Sequence, residues 1–184
     1  MSVKLKQVFS GKRLDEVHAL YETAFPASEK KPFSMIVSGQ GTGLVEILSL
    51  EENNRFLGLA IMAKAGDRVL LDYFAIADEV RGHGAGSAAL QALRERYQGM
   101  RIESTKCVDE EELVLRTRRK KFYLRNGFTM LPYYIDLWGT EMEMLSNGQP
   151  CPYEEYLDIY TTAFGTKVSD KIHFLGDAPA ADEI

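Results

Sequence analysis

The residues best placed to do chemistry stand together at Arg81-Gly82-His83-Gly84-Ala85-Gly86, followed by Ser87. Upstream, Arg68 to Ile76 (RVLLDYFAI) is apolar enough for a strand, and downstream Leu90, Leu93 and Tyr97 fall on one helix face. Glycines at such a junction leave backbone N–H groups uncovered where the positive end of the helix dipole sits, so the stretch is a phosphate cradle. Its spacing narrows the ligand. G-x-G-x-G is not the G-x-G-x-x-G of a dinucleotide site, and it does not lie in the first strand–helix unit. No Lys-Ser/Thr pair follows, so it is not a nucleotide-triphosphate loop either. By itself the motif also reads as a tight strand-to-helix turn.

Other reactive side chains are scattered. His18, His83 and His173 fall in a helix, the loop and the tail, and Cys107 and Cys151 lie far apart without metal-ligand spacing. Neither a zinc site nor a disulfide framework is expected, and a reducing cytoplasm fits this cysteine usage. The basic run Arg116, Arg118, Arg119, Lys120, Lys121 follows Glu110, Glu111 and Glu112, as on a solvated helix face aligned with its dipole. The net charge of −5 over 184 residues argues against a nucleic-acid binder and is compatible with a cationic substrate. No run of eighteen apolar residues suggests a membrane span, and MSVKLKQVFSGKRLDE lacks the apolar core of a secretory signal.

The elements that must position the loop are legible in order. Val3 to Phe9 alternates as a half-buried strand. Leu14, Val17, Tyr21, Ala24 and Phe25 share one helix face, ended by Pro26; a loop and a short helix around Phe33 to Ser38 follow. Gly43 to Leu50 and Arg55 to Ala63 form a hairpin across a four-residue turn at Glu51 to Asn54, and Arg68 to Ile76 extends it to a meander. After the loop and its helix, Arg101 to Val108 reads as a strand, parallel to the one before. A helix from Glu110 to Asn126 stops at Asn126-Gly127. Strands at Phe128 to Leu137 and Thr140 to Leu145 turn at Trp138-Gly139. The expected organisation is one domain over 1–148 and a C-terminal extension, 149–184. In the extension a helix at Tyr153 to Phe164 docks its aromatic face in cis or caps a second subunit in a homodimer. Gly176 to Ile184 is expected to fray.

Val80 to Gly86 matches the [RQ]-x-x-G-x-[GA] signature of the GCN5-related N-acetyltransferases (GNAT). Phe122-Tyr123-Leu124-Arg125-Asn126-Gly127-Phe128 resembles that family's second motif, an aromatic pair four residues ahead of Gly-Phe. The element order β-α-α-β-β-β-α-β-α-β-β is also the family's, so the resemblance covers Lys4 to Leu145. It implies an α/β (α+β) GNAT fold, with a mixed, mostly antiparallel central sheet flanked by helices. It also implies a site in which the backbone of Arg81, Gly82, His83, Gly84, Ala85, Gly86 and Ser87 holds the pyrophosphate of acetyl-coenzyme A. Phe74, Ala75 and Ile76 would pair with the pantetheine amides, beside a slot opened by the splaying of the following strand.

By the same resemblance, Tyr123 is the acid that protonates the departing thiolate, a role suited to a phenol of ordinary pKa near 10. The base is open between Asp72, two residues beyond the family's glutamate position at Leu70, and Glu103 on the next strand. Either could instead hold a substrate ammonium. His83 is read as a loop side chain and Cys107 as a small strand residue, while the basic run could reach the cofactor's 3′-phosphate. The implied activity is acetyl transfer to a primary amine of a small molecule or peptide by direct attack in a ternary complex, with no metal. A non-catalytic acyl-coenzyme A sensor is the alternative.

Overall fold

The element order follows the hydrophobic spacing, with one strand added at the end. The computed structural model describes residues 2–105 and 110–178. The chain runs β1 (Lys4–Gln7), α1 (Lys12–Ala24), α2 (Phe33–Gly41), β2 (Val45–Glu52), β3 (Arg55–Ala65), β4 (Arg68–Ile76) and α3 (Ala85–Arg96). It continues with β5 (Arg101–Thr105), α4 (Glu110–Arg125), β6 (Thr129–Leu137), β7 (Thr140–Ser146), α5 (Tyr153–Phe164), α6 (Thr166–Ser169) and β8 (Ile172–Asp177). The strands form one sheet in the order β1-β2-β3-β4-β5-β7-β6-β8. Neighbours pair antiparallel except β4 and β5, whose helical crossover through α3 makes them parallel.

The β2–β3 hairpin is tighter than the sequence suggests, while the β6–β7 turn falls at Trp138-Gly139 as expected. Instead of a four-residue turn, Glu52 pairs with Arg55, and Asn53 and Asn54 take φ of 50° and 63°. Two successive left-handed residues match the twist of the flanking strands, and asparagine tolerates them. Trp138 and Gly139 do the same between β6 and β7, at φ 54° and 89°.

Alternation along β2 sends Ile47 to one side of the sheet and Leu48 to the other. On the first side Ile47, Leu59, Ile61 and Ile135 meet Val17 and Tyr21 of α1, Ile36 of α2, and Tyr156, Ile159 and Tyr160 of α5. On the second, Leu48, Leu50, Met62 and Leu71 meet Leu90 and Leu93 of α3 and Tyr123 of α4. The sheet is thus a middle layer between two helical ones.

The tail is more ordered than its composition suggests. α5 has the expected bounds and packs its aromatic face on the chain's own sheet. Gly176 and Asp177, expected to fray, pair with Tyr134 and Tyr133 as part of the edge strand β8. Main-chain bonds carry most of that pairing, with Ile172 buried at its start and the Phe174 ring against Tyr133 and Tyr153. Phe174 and Leu175 of β8 stay exposed, so the strand leaves no burial pattern to read. Among the described residues, no helix is long and apolar enough to cross a membrane.

Ending the chain after Gly148 would remove Tyr156, Ile159 and Tyr160 from the core. Each buried side chain of this size contributes about 1.5–3 kcal/mol, against a total stability of about 5–15 kcal/mol. The truncated protein is therefore expected to lose its cooperative thermal transition in far-UV circular dichroism. A sharp transition retained without the tail would show the extension to be dispensable.

Candidate active site

The site begins where two strands part. β4 and β5 pair only at Leu70–Arg101 and Leu71–Ile102. Beyond that point β4 continues to Ile76 beside β3, while β5 continues to Thr105 beside β7. A bulge sits at the fork: Tyr73 faces Ile61 and Leu71 faces Met62, leaving Asp72 as the extra residue. Such a bulge bends its strand and re-aims the side chains around it. Phe74, Ala75 and Ile76 are left with a strand partner on the β3 side and none on the β5 side among the described residues.

The glycine loop closes the other end of this open edge. Gly82 and Gly84 are left-handed, at φ 81° and 82°, and Gly84 caps α3 with no side-chain hydrogen bond to the helix start. The first intrahelical bond runs from the Ala88 N–H to the Gly84 carbonyl, 3.0 Å, so the N–H groups of Ala85, Gly86 and Ser87 head the helix uncovered. Arg81 braces the loop, donating from Nε to the Ile76 carbonyl at 2.9 Å and pairing with Asp78 at 2.6 Å. His83 is exposed, with its Nδ1 2.9 Å from the Arg81 carbonyl within the loop. Gly86 is needed for packing: a Cβ there would stand 3.1 Å from the Phe122 ring of α4.

α4 forms the facing wall. A groove of about 530 Å³ runs between Phe74, Ala75, Ile76 and the glycine loop on one side and Arg118, Arg119, Phe122, Tyr123 and Arg125 on the other. Phe122 stacks toward Phe74 at 6.3 Å between ring centres, and Arg125 lies over Phe122 at 5.3 Å. Together with Arg81 these arginines make a basic groove in an acidic protein, a field that favours a polyanionic ligand. Lys120, from the same basic run, instead pairs with buried Glu143 at 2.8 Å. Tyr123 is 6% exposed. Burial pushes its phenol up to about 12, with Arg119 pulling weakly the other way. It therefore stays protonated at neutral pH.

The two candidate bases fare differently. The Asp72 side chain is buried, and its oxygens receive Lys31 Nζ at 2.8 and 2.9 Å and the Tyr160 hydroxyl at 2.8 Å. Glu103 is the first residue of β5 beyond the last β4 pairing and stands opposite Met144 of β7; its side chain lies outside the described structure. Cys107 lies outside the described residues altogether. His18 stacks on Phe33 at 4.2 Å, and His173 is exposed on β8. Among the described residues no cluster of His, Cys, Asp and Glu could hold a metal ion.

Sequence reasoning missed Lys31, Trp138, Tyr160 and Phe164. The Lys31 ammonium lies 4.6–4.8 Å from the rings of Tyr73, Trp138, Tyr160 and Phe164. No local motif could have announced a cluster drawn from sites as far apart as 31 and 164. A lysine in the polar stretch ASEKKPF reads as solvent-facing.

Comparison with known proteins bears on this geometry. Residues 44–130 match the family model of the acetyltransferase (GNAT) domain. A solved Bacteroides thetaiotaomicron protein assigned to the GNAT acetyltransferases superposes with a TM-score of 0.75 at 19% identity, over 88% of this chain and 98% of that one. The Escherichia coli ribosomal-protein-S18-alanine N-acetyltransferase gives 0.54 at 16% identity, over 83% and 97%. A Bacillus subtilis acetyltransferase solved in complex with CoA gives 0.52 at 14%, over 79% and 96%. These likenesses establish a shared fold. No curated protein matches the chain.

Two outcomes follow from the local geometry. Gly84→Ala meets no atom within 4 Å but forces alanine into the left-handed region. It should lower stability in urea unfolding by about 1–2 kcal/mol. Tyr21 and Tyr123 are both pushed up to about 12 by burial, against about 10 in an unfolded chain. The folded state thus holds these protons more tightly. Their contribution is fully present below pH 10 and is lost as pH rises toward 12. Urea midpoints should fall across that window; a flat profile would show the phenols to be solvated.

Proposed function

We propose that the chain transfers an acetyl group from acetyl-coenzyme A to a primary amine of a small molecule or peptide, because residues 44–130 match the family model of the acetyltransferase (GNAT) domain and the chain shares the fold of solved acetyltransferases. The observation that carries this reading is one groove that joins three features: the uncovered N–H groups at Ala85–Ser87, the strand edge Phe74–Ile76 and the protonated phenol of Tyr123.

The residues present fit the cofactor. Nothing stands within 4 Å of a Cβ built at Gly82 or Gly84, so the backbone there can be approached closely by a pyrophosphate. Arg118, Arg119 and Arg125 offer guanidinium groups to its remaining phosphate. The free edge of β4 offers main-chain hydrogen bonds to an extended amide arm, as an added strand would. When bound, acetyl-coenzyme A supplies an activated thioester.

The chain's own residues then do three things. The N–H near Ile76 faces the carbonyl oxygen as negative charge develops on it. The groove aligns an amine nitrogen with the carbonyl carbon, and proximity makes the attack effectively unimolecular. Tyr123 gives its proton to the departing sulfur. In balance, a C–N bond forms, the C–S bond breaks, the amine loses a proton to a base, and the thiolate gains one from the phenol. Glu103 is the better candidate for that base, because the Asp72 oxygens are already taken by Lys31 and Tyr160.

Isothermal titration with acetyl-coenzyme A tests the cofactor assignment; no heat at high micromolar concentration rejects it. Thiol release with a panel of amines tests turnover, and binding without turnover would point to a sensor. Tyr123→Phe is expected to lower kcat by about 100-fold or more while leaving the acetyl-coenzyme A Kd unchanged. Glu103→Gln should lower the rate and remove the acid limb of its pH profile. An unaltered profile would eliminate Glu103.

A further inference from the structure

The ammonium of Lys31 is bound as a ligand would be. It is 2% exposed, donates to both Asp72 oxygens and to the Tyr160 hydroxyl at 3.0 Å, and is ringed by Tyr73, Trp138, Tyr160 and Phe164. A carboxylate, a hydroxyl and four aromatic faces make a receptor for an alkylammonium ion. A side chain needed only to fill the space would require no charge. An apolar chain of similar length would avoid the cost of desolvating an ion pair.

The cage adjoins the groove. Asp72, Tyr73 and Tyr160 wall a cavity of about 60 Å³ that shares Phe25, Phe74, Arg119 and Tyr123 with the cofactor groove. With Lys31 in place little room is left there for an acceptor. The cage groups sit on β4, on α5 and at the β6–β7 turn, whereas Lys31 comes from the short segment between Pro26 and Pro32. That segment is held by its main chain: the Lys31 N–H donates to Tyr73 at 3.0 Å and its carbonyl accepts from Tyr21 at 2.7 Å. The side chain can therefore leave by rotating about its own torsions while the backbone stays pinned.

We infer that the cage of Asp72, Tyr73, Trp138, Tyr160 and Phe164 is the subsite for the acceptor's ammonium group, and that Lys31 is an internal stand-in which an unbranched alkylamine displaces. This rests on the acetyl-transfer reading for its role but not for the binding itself. The ligand class is a primary amine on an aliphatic stem, as in a lysyl side chain or an alkyldiamine. Lys31 acts as a tethered competitor, so any acceptor binds against its high effective concentration.

The test uses n-butylammonium chloride, whose four-carbon stem copies that of lysine, and Trp138, the chain's one tryptophan, as fluorescent reporter. Without acetyl-coenzyme A, Lys31→Ala should give a saturable signal with half-saturation about tenfold or more below that of the wild type. Adding Asp72→Asn to that variant should abolish it. With n-butylamine as acceptor, the thiol-release KM should fall by the same factor while the acetyl-coenzyme A Kd is unchanged. A folded Lys31→Ala protein with no saturable signal overturns the inference. So does a signal indifferent to Asp72→Asn, or one with no accompanying change in KM. If Lys31→Ala does not fold, the wild type is compared with Tyr160→Phe: loss of the hydroxyl should weaken n-butylammonium binding about tenfold, and equal or absent binding overturns the inference. Acetyl-coenzyme A titration runs beside these arms, so that its failure rejects the acetyl-transfer reading separately from the amine subsite.

Discussion

Among the described residues, two strand pairings, Leu70 with Arg101 and Leu71 with Ile102, join β1–β4 to the other half of the sheet. The site depends on where that seam ends. A longer seam would give Phe74, Ala75 and Ile76 a strand partner and leave no edge for a ligand. With a shorter one, the halves would have nothing in register to hold them. The bulge at Asp72 sits at the boundary, bending β4 and placing a carboxylate beside the fork. What the parted strands give up in hydrogen bonds must come from packing across them. α5 supplies much of that, with Tyr156, Ile159 and Tyr160 buried against the sheet. The Lys31 cluster adds to it by gathering Asp72 and Tyr73 from one half of the sheet and Trp138, at the β6–β7 turn, from the other.

Charge is partitioned along the same groove. The chain carries a net −5, yet Arg81, Arg118, Arg119 and Arg125 converge on the glycine loop, where the α3 dipole adds to them. An anion entering there meets donors whose cost of assembly was met in folding, so little reorganisation is needed on binding. At the opposite end the cation is Lys31, buried and neutralised by Asp72. On the inferred reading, in which an acceptor displaces Lys31, the two ends would take ligand groups of opposite sign and so orient a molecule spanning them.

The glycine loop and most of the fold could be read from sequence because they are local. Strand alternation, helix faces and a glycine run each declare themselves within about ten residues, and the mixed, mostly antiparallel sheet between helices was implied by the family resemblance that the motifs and element order carried. Errors fell where geometry is set by the main chain. Asn53 and Asn54 tightened a turn through left-handed backbone, and β8 formed by pairing with no burial pattern. The cage was hidden for another reason. Lys31 and Tyr160 are 129 positions apart, and each alone has an ordinary explanation, a loop lysine and a core tyrosine. Asp72 drew notice as a carboxylate near the fork, but its partner did not, so its commitment to Lys31 could not be foreseen.

The distribution of these residues along the chain has a consequence for specificity. The family model covers 44–130, and the glycine loop, the β4 edge and Tyr123 all lie inside it. Lys31 precedes that segment, while Trp138, Tyr160 and Phe164 follow it. On the proposed reading, the part of the chain that matches the family model builds the end that would take acetyl-coenzyme A. On the inferred reading, the acceptor end is built mostly from flanking elements, with Asp72 and Tyr73 as the points where the two meet. Among the described residues no side chain of α5 lines the groove at the glycine loop, so the α5 positions can change without disturbing that loop. On that reading a fold divided in this way keeps one donor chemistry while its acceptor varies, and the cage residues Lys31, Trp138, Tyr160 and Phe164, rather than the glycine loop, would set the acceptor.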